Sequence, residues 1–294
     1  AYEIGLGIPA DPLFLSRSKK LSTEVLAHYQ NDFGHHDSND DAFLDQPKVR
    51  QWNLQNRWHG RTDRYIFHGG IGMIKEKREG GQMSEELRVK SEEYKIGLAT
   101  DRYEGYMKHA FILDPEHGTN IAVMTAFSLH QLDANYGNKH YDVNQKNAYA
   151  QLLFETNFTE HHNLSAGLSL NHDYLNEELR VKSEELATDK ETTPGAYAQY
   201  TYNLHNKVVA MAGMRVDHSS LYGTFLTPRF HLKFTPHEVV SLRLSAGKGY
   251  RTVHALAENN YLLASGRNLV IDNLNQEEAW NYGISSSFYI PLFD

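Results

Sequence analysis

Two neighbouring runs set the pattern of the chain. Across residues 229–234, Phe230, Leu232 and Phe234 alternate with Arg229, His231 and Lys233. Across 240–245, Val240, Leu242 and Leu244 alternate with Ser241, Arg243 and Ser245. Successive strand side chains point to opposite faces, so each run carries one apolar face and one polar, mostly cationic face. The link at 235–238 contains Pro236 and reads as the tight turn of a hairpin. A soluble sheet buries its apolar face in a core. A membrane barrel inverts the sense, apolar toward lipid and polar toward a wet lumen. Two strands do not choose between these.

The rest of the chain repeats the pattern. Strands are predicted at 21–29, 49–58, 64–73, 94–113, 121–132, 146–158, 163–174, 196–202, 208–217 and 280–289. About a dozen strands with no convincing helix between them exclude βαβ folds. Short turns at 60–63, 114–118, 159–162 and 204–207 alternate with long polar connections at 31–48, 76–93 and 252–276. That asymmetry is expected of an antiparallel outer-membrane barrel, with short periplasmic turns and long extracellular loops. The run at 94–113 projects well beyond a bilayer that about 10 residues cross. Tyr29, Trp52, Trp58, Tyr106, Tyr174, Tyr202, Tyr222, Trp280 and Tyr289 sit near strand ends, where interfacial girdles lie. Ordinary β-propensity accounts for the same residues.

Composition narrows the picture further. A net charge of −8 argues against a nucleic-acid partner, and the lack of cysteine excludes disulfides and thiolate metal sites. Mean hydropathy is −0.59, and no apolar run approaches the roughly 18 residues of a membrane helix. The chain opens at Ala1 without a signal peptide, which reads as a mature product or a fragment. EELRVKSEE occurs at 85–93 and again at 177–185, with LATD following each copy. Identical residues between dissimilar flanks are not a structural repeat. Both copies are expected in long loops on one side, as solvated helical turns.

From Met211 onward the strings AGMRVDHSSLYGTFLTPRFHLKFTP, LRLSAGKGYRT, LAENNYLLASGRN and QEEAWNYGIS resemble the barrel of Bacteroidetes-type TonB-dependent outer-membrane receptors. HQLDANYG, NAYAQLLFETNFTEHHNLSAGLSLNHDYLNEEL and GAYAQYTYN extend the resemblance over most of 94–294. Thr252, Val253 and His254 stand where the family often has a proline soon after the arginine. The resemblance implies a closed barrel of about 22 strands around an N-terminal plug. It also implies uptake of ferric siderophores, haem, cobalamin or glycans, energised through TonB. No plug segment is recognised, so 1–294 reads as a single partial barrel domain. A complete small barrel of about 12 strands is the second reading.

Arg215, Asp217, Arg229, His231, Lys233, Arg243 and Arg251 take the polar phase of their strands, as lumen-facing or plug-facing candidates. In a porin the same groups would set ion preference. Glu258, Asn259, Asn260 and Tyr261 are candidate extracellular ligand contacts. His35, His36 and Asp37 offer imidazole and carboxylate to a metal, although their spacing fixes no geometry. Catalysis is not expected: GxSxG, HExxH and phosphate-binding glycine loops are all lacking. His130 with Asp133, and Asp217 with His218, are the nearest approach to a catalytic pair.

The expected protein is an outer-membrane TonB-dependent receptor, not an enzyme and without a cofactor, that captures a siderophore or other metal complex. Expected partners are the TonB complex acting through a plug, outer-membrane lipid, the ligand and a surface lipoprotein. A passive porin-like channel and a soluble β-rich binding domain are the rivals.

Overall fold

The computed structural model describes residues 14–17, 20–83, 94–180, 184–237, 239–265, 271 and 274–289. Among these, thirteen strands form one antiparallel sheet in chain order. They are β1 (Phe14–Arg17), β2 (Leu21–Asp32), β3 (Lys48–Arg61), β4 (Tyr65–Gly81), β5 (Lys95–Asp114), β6 (Thr119–Tyr136) and β7 (Lys139–Thr159). Then follow β8 (His162–Arg180), β9 (Glu184–Leu204), β10 (Val208–Ser219), β11 (Gly223–His237), β12 (Val240–Arg251) and β13 (Glu277–Phe288). Each strand pairs only with its sequence neighbours, so β1 and β13 are the sheet edges among the described residues.

Register decides the sense of the two faces, because directly opposed residues share a face. One row runs Phe67, His109, Val123, Leu152, Leu168, Ala196, Val216 and Leu226 from β4 to β11. The adjoining row on the other face runs His68, Lys108, Met124, Gln151, Ser169, Gly195, Asp217 and Phe225. The apolar face is bare: Leu168 is 59% exposed and Ile71 55%. A water-soluble sheet buries such a face, whereas lipid leaves it where it is. Among the described residues no helix is long and apolar enough to cross a membrane.

The buried core is small and eccentric. Ala134, Tyr136, Tyr141, Val143 and Leu175 lie on the polar-phase side near the long-connection ends of β6, β7 and β8. Leu256 and Leu263 pack on them. These two come from a helical turn, α1 (Ala255–Asn259), and a following 3-10 turn (Asn260–Ala264) in the connection after β12. The sheet therefore curls until a segment leaving β12 rests against β5–β8. The face it covers is the inner one.

Several expected boundaries move. β4 continues through 76–81, expected as a charged connection, and β9 runs back to Glu184 through a segment expected as loop. The β6–β7 connection is a two-residue turn at Gly137 and Asn138, with Gly137 at φ 62°, so strand fills most of the 133–145 gap between the predicted strands. The outer end of β4 is charged on both faces, whereas the outer ends of β6 and β7 reverse the membrane sense, with Ala134, Tyr136, Tyr141 and Val143 buried on the inner face. β11 runs to His237 through a bulge after Phe234, so the link at 235–238 is mostly strand. The described residues of the second EELRVKSEE copy are not helical: Glu177–Arg180 close β8 and Glu184 opens β9. The first copy lies outside the described residues. Tyr106 is no girdle residue, since it opposes Gly70 in the inner phase and would meet a Cβ placed there.

Candidate functional site

The site is built where the connection after β12 meets the opposite wall. Leu256 and Leu263 supply the apolar contact, and three hydrogen bonds fix the segment over it. Tyr94 Oη donates to Ala264 O at 2.7 Å, Tyr136 Oη to Asn260 Oδ1 at 2.7 Å, and Lys139 Nζ to Ser265 O at 2.7 Å. At its start, Thr252 Oγ1 donates to Glu191 Oε2 at 2.8 Å, and His254 Nε2 lies 3.8 Å from Asp173 Oδ2. The segment thus spans from β12 to the mouth of β5–β9 and narrows the outer end of the lumen.

Arg251 anchors the hinge of this segment. Its Nη1 meets Glu258 Oε2 at 2.9 Å and its Nε meets Glu277 Oε2 at 2.8 Å. Burial raises the Glu258 carboxyl, but the His254 backbone N–H and the Arg251 guanidinium outweigh it and hold Glu258 below its ordinary range. Burial pushes the Tyr141 phenol far up, and its hydrogen bond to Glu177 adds to this, so it stays a neutral donor. Asn259 Nδ2 and Asn260 Nδ2 donate to the carbonyls of Ala255 and Ala257. Tyr261 differs from these neighbours in being 64% exposed. Of the four predicted ligand contacts, three are tied into the segment and Tyr261 alone presents an open ring.

The predicted inner-wall set divides in two. Arg215 forks onto Asp217 with two contacts of 2.6 Å and reaches Ser169 Oγ at 2.7 Å, and Asp217 is buried. That pair holds β10 against β8 and is internally satisfied. Arg229, His231, Lys233 and Arg243 face inward near the short-turn end, and none makes an ion pair or hydrogen bond among the described residues. Lys233 and Arg243 oppose each other directly. Like charges so placed repel, which favours an anionic neighbour in the lumen. Arg215 and Arg229 also line a niche of about 350 Å³ with Tyr197 and Gln199.

His35, His36 and Asp37 are not gathered around one point. His35 Nε2 faces Lys48 Nζ at 2.9 Å, His36 lies 4.0 Å from Asp32, and the Asp37 carboxylate accepts the N–H groups of Asp41 and Ala42. Each of these contacts folds the loop locally. Asp133, His140 and Asp142, a trio the sequence did not bring together, place ligand-type atoms within 4.8 Å of one another. Asn135 Oδ1 and Asp142 already take both ring nitrogens of His140, and Arg180 lies 3.9 Å from Asp142. His130 and Asp133 point to opposite faces, as do Asp217 and His218, so neither forms a catalytic pair.

A bare apolar exterior, a polar interior and an inward-folded connection together describe the wall of a lipid-facing barrel. The family model described as TonB dependent receptor-like, beta-barrel matches residues 17–291. The chain belongs to the TonB-dependent receptor β-barrel family. The siderophore receptor PirA from Pseudomonas aeruginosa superposes with TM-score 0.65 at 13% identity, covering 96% of this chain and 48% of that one. The FrpB iron transporter from Neisseria meningitidis gives 0.65 at 11% identity, over 94% and 49%. The copper transporter OprC gives 0.68 at 8% identity, over 93% and 48%. These likenesses establish the TonB-dependent receptor fold. The chain spans about half the length of each of these structures. No curated protein sequence matches it.

Proposed function

We propose that the chain forms part of the wall of a bacterial outer-membrane receptor that imports a scarce nutrient with energy from TonB. The observation that carries this is the segment 252–265, pinned across the outer mouth with Tyr261 open above it. A receptor needs a rigid surface on which to capture its ligand, and the pinned segment supplies one. The open edges at β1 and β13 and the half-length match to the solved receptors support a larger closed barrel. Arg229, His231, Lys233 and Arg243 are assigned to contacts with an acidic face of a plug or to the solute path.

A siderophore or other metal complex is the first ligand class, with haem and cobalamin next. The histidine-bearing outer loop at 33–47 and the siderophore, iron and copper names of the similar structures support that order. The motif strings quoted above support the Bacteroidetes-type subclass, and with it a surface lipoprotein at the mouth.

The test is growth on candidate iron and cobalamin sources in a host carrying the full gene, with and without TonB. TonB-dependent growth that Tyr261→Ala reduces at limiting ligand, with unchanged barrel yield, supports the proposal. Uptake that persists without TonB overturns it in favour of a passive channel.

A further inference from the structure

The short turns bring together two imidazoles that the strand pattern does not require. His161 lies in the turn between β7 and β8, and His205 in the turn between β9 and β10. The β8–β9 ladder sets these turns side by side, with His162 opposite Tyr202. The His161 and His205 rings lie 4.8 Å apart between centres, edge to face at 67°. One residue, Asn203, fixes both turns. Its N–H donates to His161 O at 2.8 Å, and its carbonyl accepts from His161 Nδ1 at 2.7 Å. Its side chain clamps the other turn: Oδ1 accepts the Asn206 N–H at 2.9 Å, and Nδ2 donates to Asn206 Oδ1 at 3.2 Å. His205 and Asn206 take φ 48° and 59°, the two left-handed positions of a type I′ hairpin turn.

The Asn203 carbonyl decides the chemistry of His161. A carbonyl only accepts, so Nδ1 carries the proton and Nε2 of the neutral ring presents a lone pair. A backbone carbonyl on the far ring nitrogen is the arrangement that orients metal-bound histidine. His205 makes no hydrogen bond or ion pair among the described residues, so its nitrogens are available. Two imidazoles on one ion, with bonds of about 2.0–2.1 Å meeting at roughly 90–110°, hold their ring centres about 4.5–5.2 Å apart. The separation here falls within that range. We infer that His161 and His205 form a binding site for a divalent transition metal ion such as Zn²⁺ at the short-turn rim. Imidazole nitrogen selects zinc, copper or nickel over magnesium and calcium, which take oxygen ligands. Water completes the coordination, so the ion exchanges, and while bound it ties the two turns together. His162 is turned instead to the Tyr200 hydroxyl and takes no part. The inference does not rest on the import reading or on any ligand at the mouth.

The experiment titrates Zn²⁺ into the untagged, metal-stripped chain in detergent at neutral pH, read by isothermal titration calorimetry. His161→Ala and His205→Ala should each weaken one Zn²⁺ site of the wild type at least about tenfold, the lower end of what losing even a supporting group of a metal ligand costs. His162→Ala, one residue away, should leave that site unchanged. Hydrogen exchange on the same samples gives a second reading. Zn²⁺ should slow exchange at the Asn203 and Lys207 amides, which are bonded to His161 O and Leu204 O, in the wild type and in neither variant. Circular dichroism confirms the fold of each variant. Titrations that both variants leave unaltered, or exchange that Zn²⁺ does not slow, overturn the inference. Equal weakening by His162→Ala also overturns it, as the mark of a diffuse histidine patch holding an adventitious ion only.

Discussion

Leu256 and Leu263 are the apolar contact that holds the mouth segment down, at 3% and 4% exposure. Leu256→Ala removes buried methyl groups from a site backed by Tyr136, Tyr141 and Val143, whose strands cannot collapse inward. Such a truncation costs about 2–5 kcal/mol. The cost falls on the docked segment, because the barrel ladder around it is untouched. The opening equilibrium of 252–265 should therefore shift by roughly thirtyfold to a few thousandfold, at tenfold per about 1.4 kcal/mol. Hydrogen exchange read by mass spectrometry measures this directly. The amides of Glu258 and Ser265 are bonded to His254 O and Leu262 O and should lose protection by that factor. Amides of β7 and β8 at membrane depth should keep theirs. Unchanged protection at 254–265 would refute the claim that these leucines dock the segment.

Three further outcomes are expected. Arg215→Ala strands the buried Asp217 carboxylate and should cost about 3–5 kcal/mol, seen as a lower thermal midpoint, with Arg215→Ala plus Asp217→Ala recovering part of the loss. Gly167→Val would place its Cβ 2.6 Å from Leu152 O and from the Tyr197 ring, and should destabilise by about 1–3 kcal/mol in the same assay. The folded Glu258 carboxyl lies below its ordinary value of 4.5, so its contribution is complete above that value and is lost as pH falls through the lower folded value. Protection of 254–258 should accordingly hold at neutral pH and fall only below about pH 4.5, and Glu258→Gln should abolish that dependence.

The membrane-crossing half of the fold was legible because one solvent rule governs it. Where lipid wets one face and water the other, alternation survives in sequence, and the run read at 240–245 lies within β12, Val240–Arg251. Beyond the bilayer the rule lapses. The outer end of β4 is charged on both faces, and those of β7 and β8 turn Tyr141, Val143 and Leu175 inward, opposite to the membrane sense, so Glu76, Asn144, Glu177 and Lys190 read as loop although the register continues through them. β1 was too short to show a period. The mouth was half legible. Tyr261 and its neighbours were found through motif resemblance, but their wall partners Tyr94, Tyr136 and Tyr141 lie more than a hundred residues away. Only register brings them together.

The overreach of the strands also separates two electrical environments. Tyr141, under the mouth segment, lies five residues beyond Lys146 on β7, which opposes the exposed Leu129 at the outer limit of the apolar face of β6. At about 3.4 Å per residue and a tilt near 40°, that is roughly 13 Å of height. Charges on the leaflet are screened over about 8 Å in physiological salt. The mouth thus stands more than one screening length above the apolar belt. The field of the leaflet is weakened there, and selection rests more on the protein's own groups.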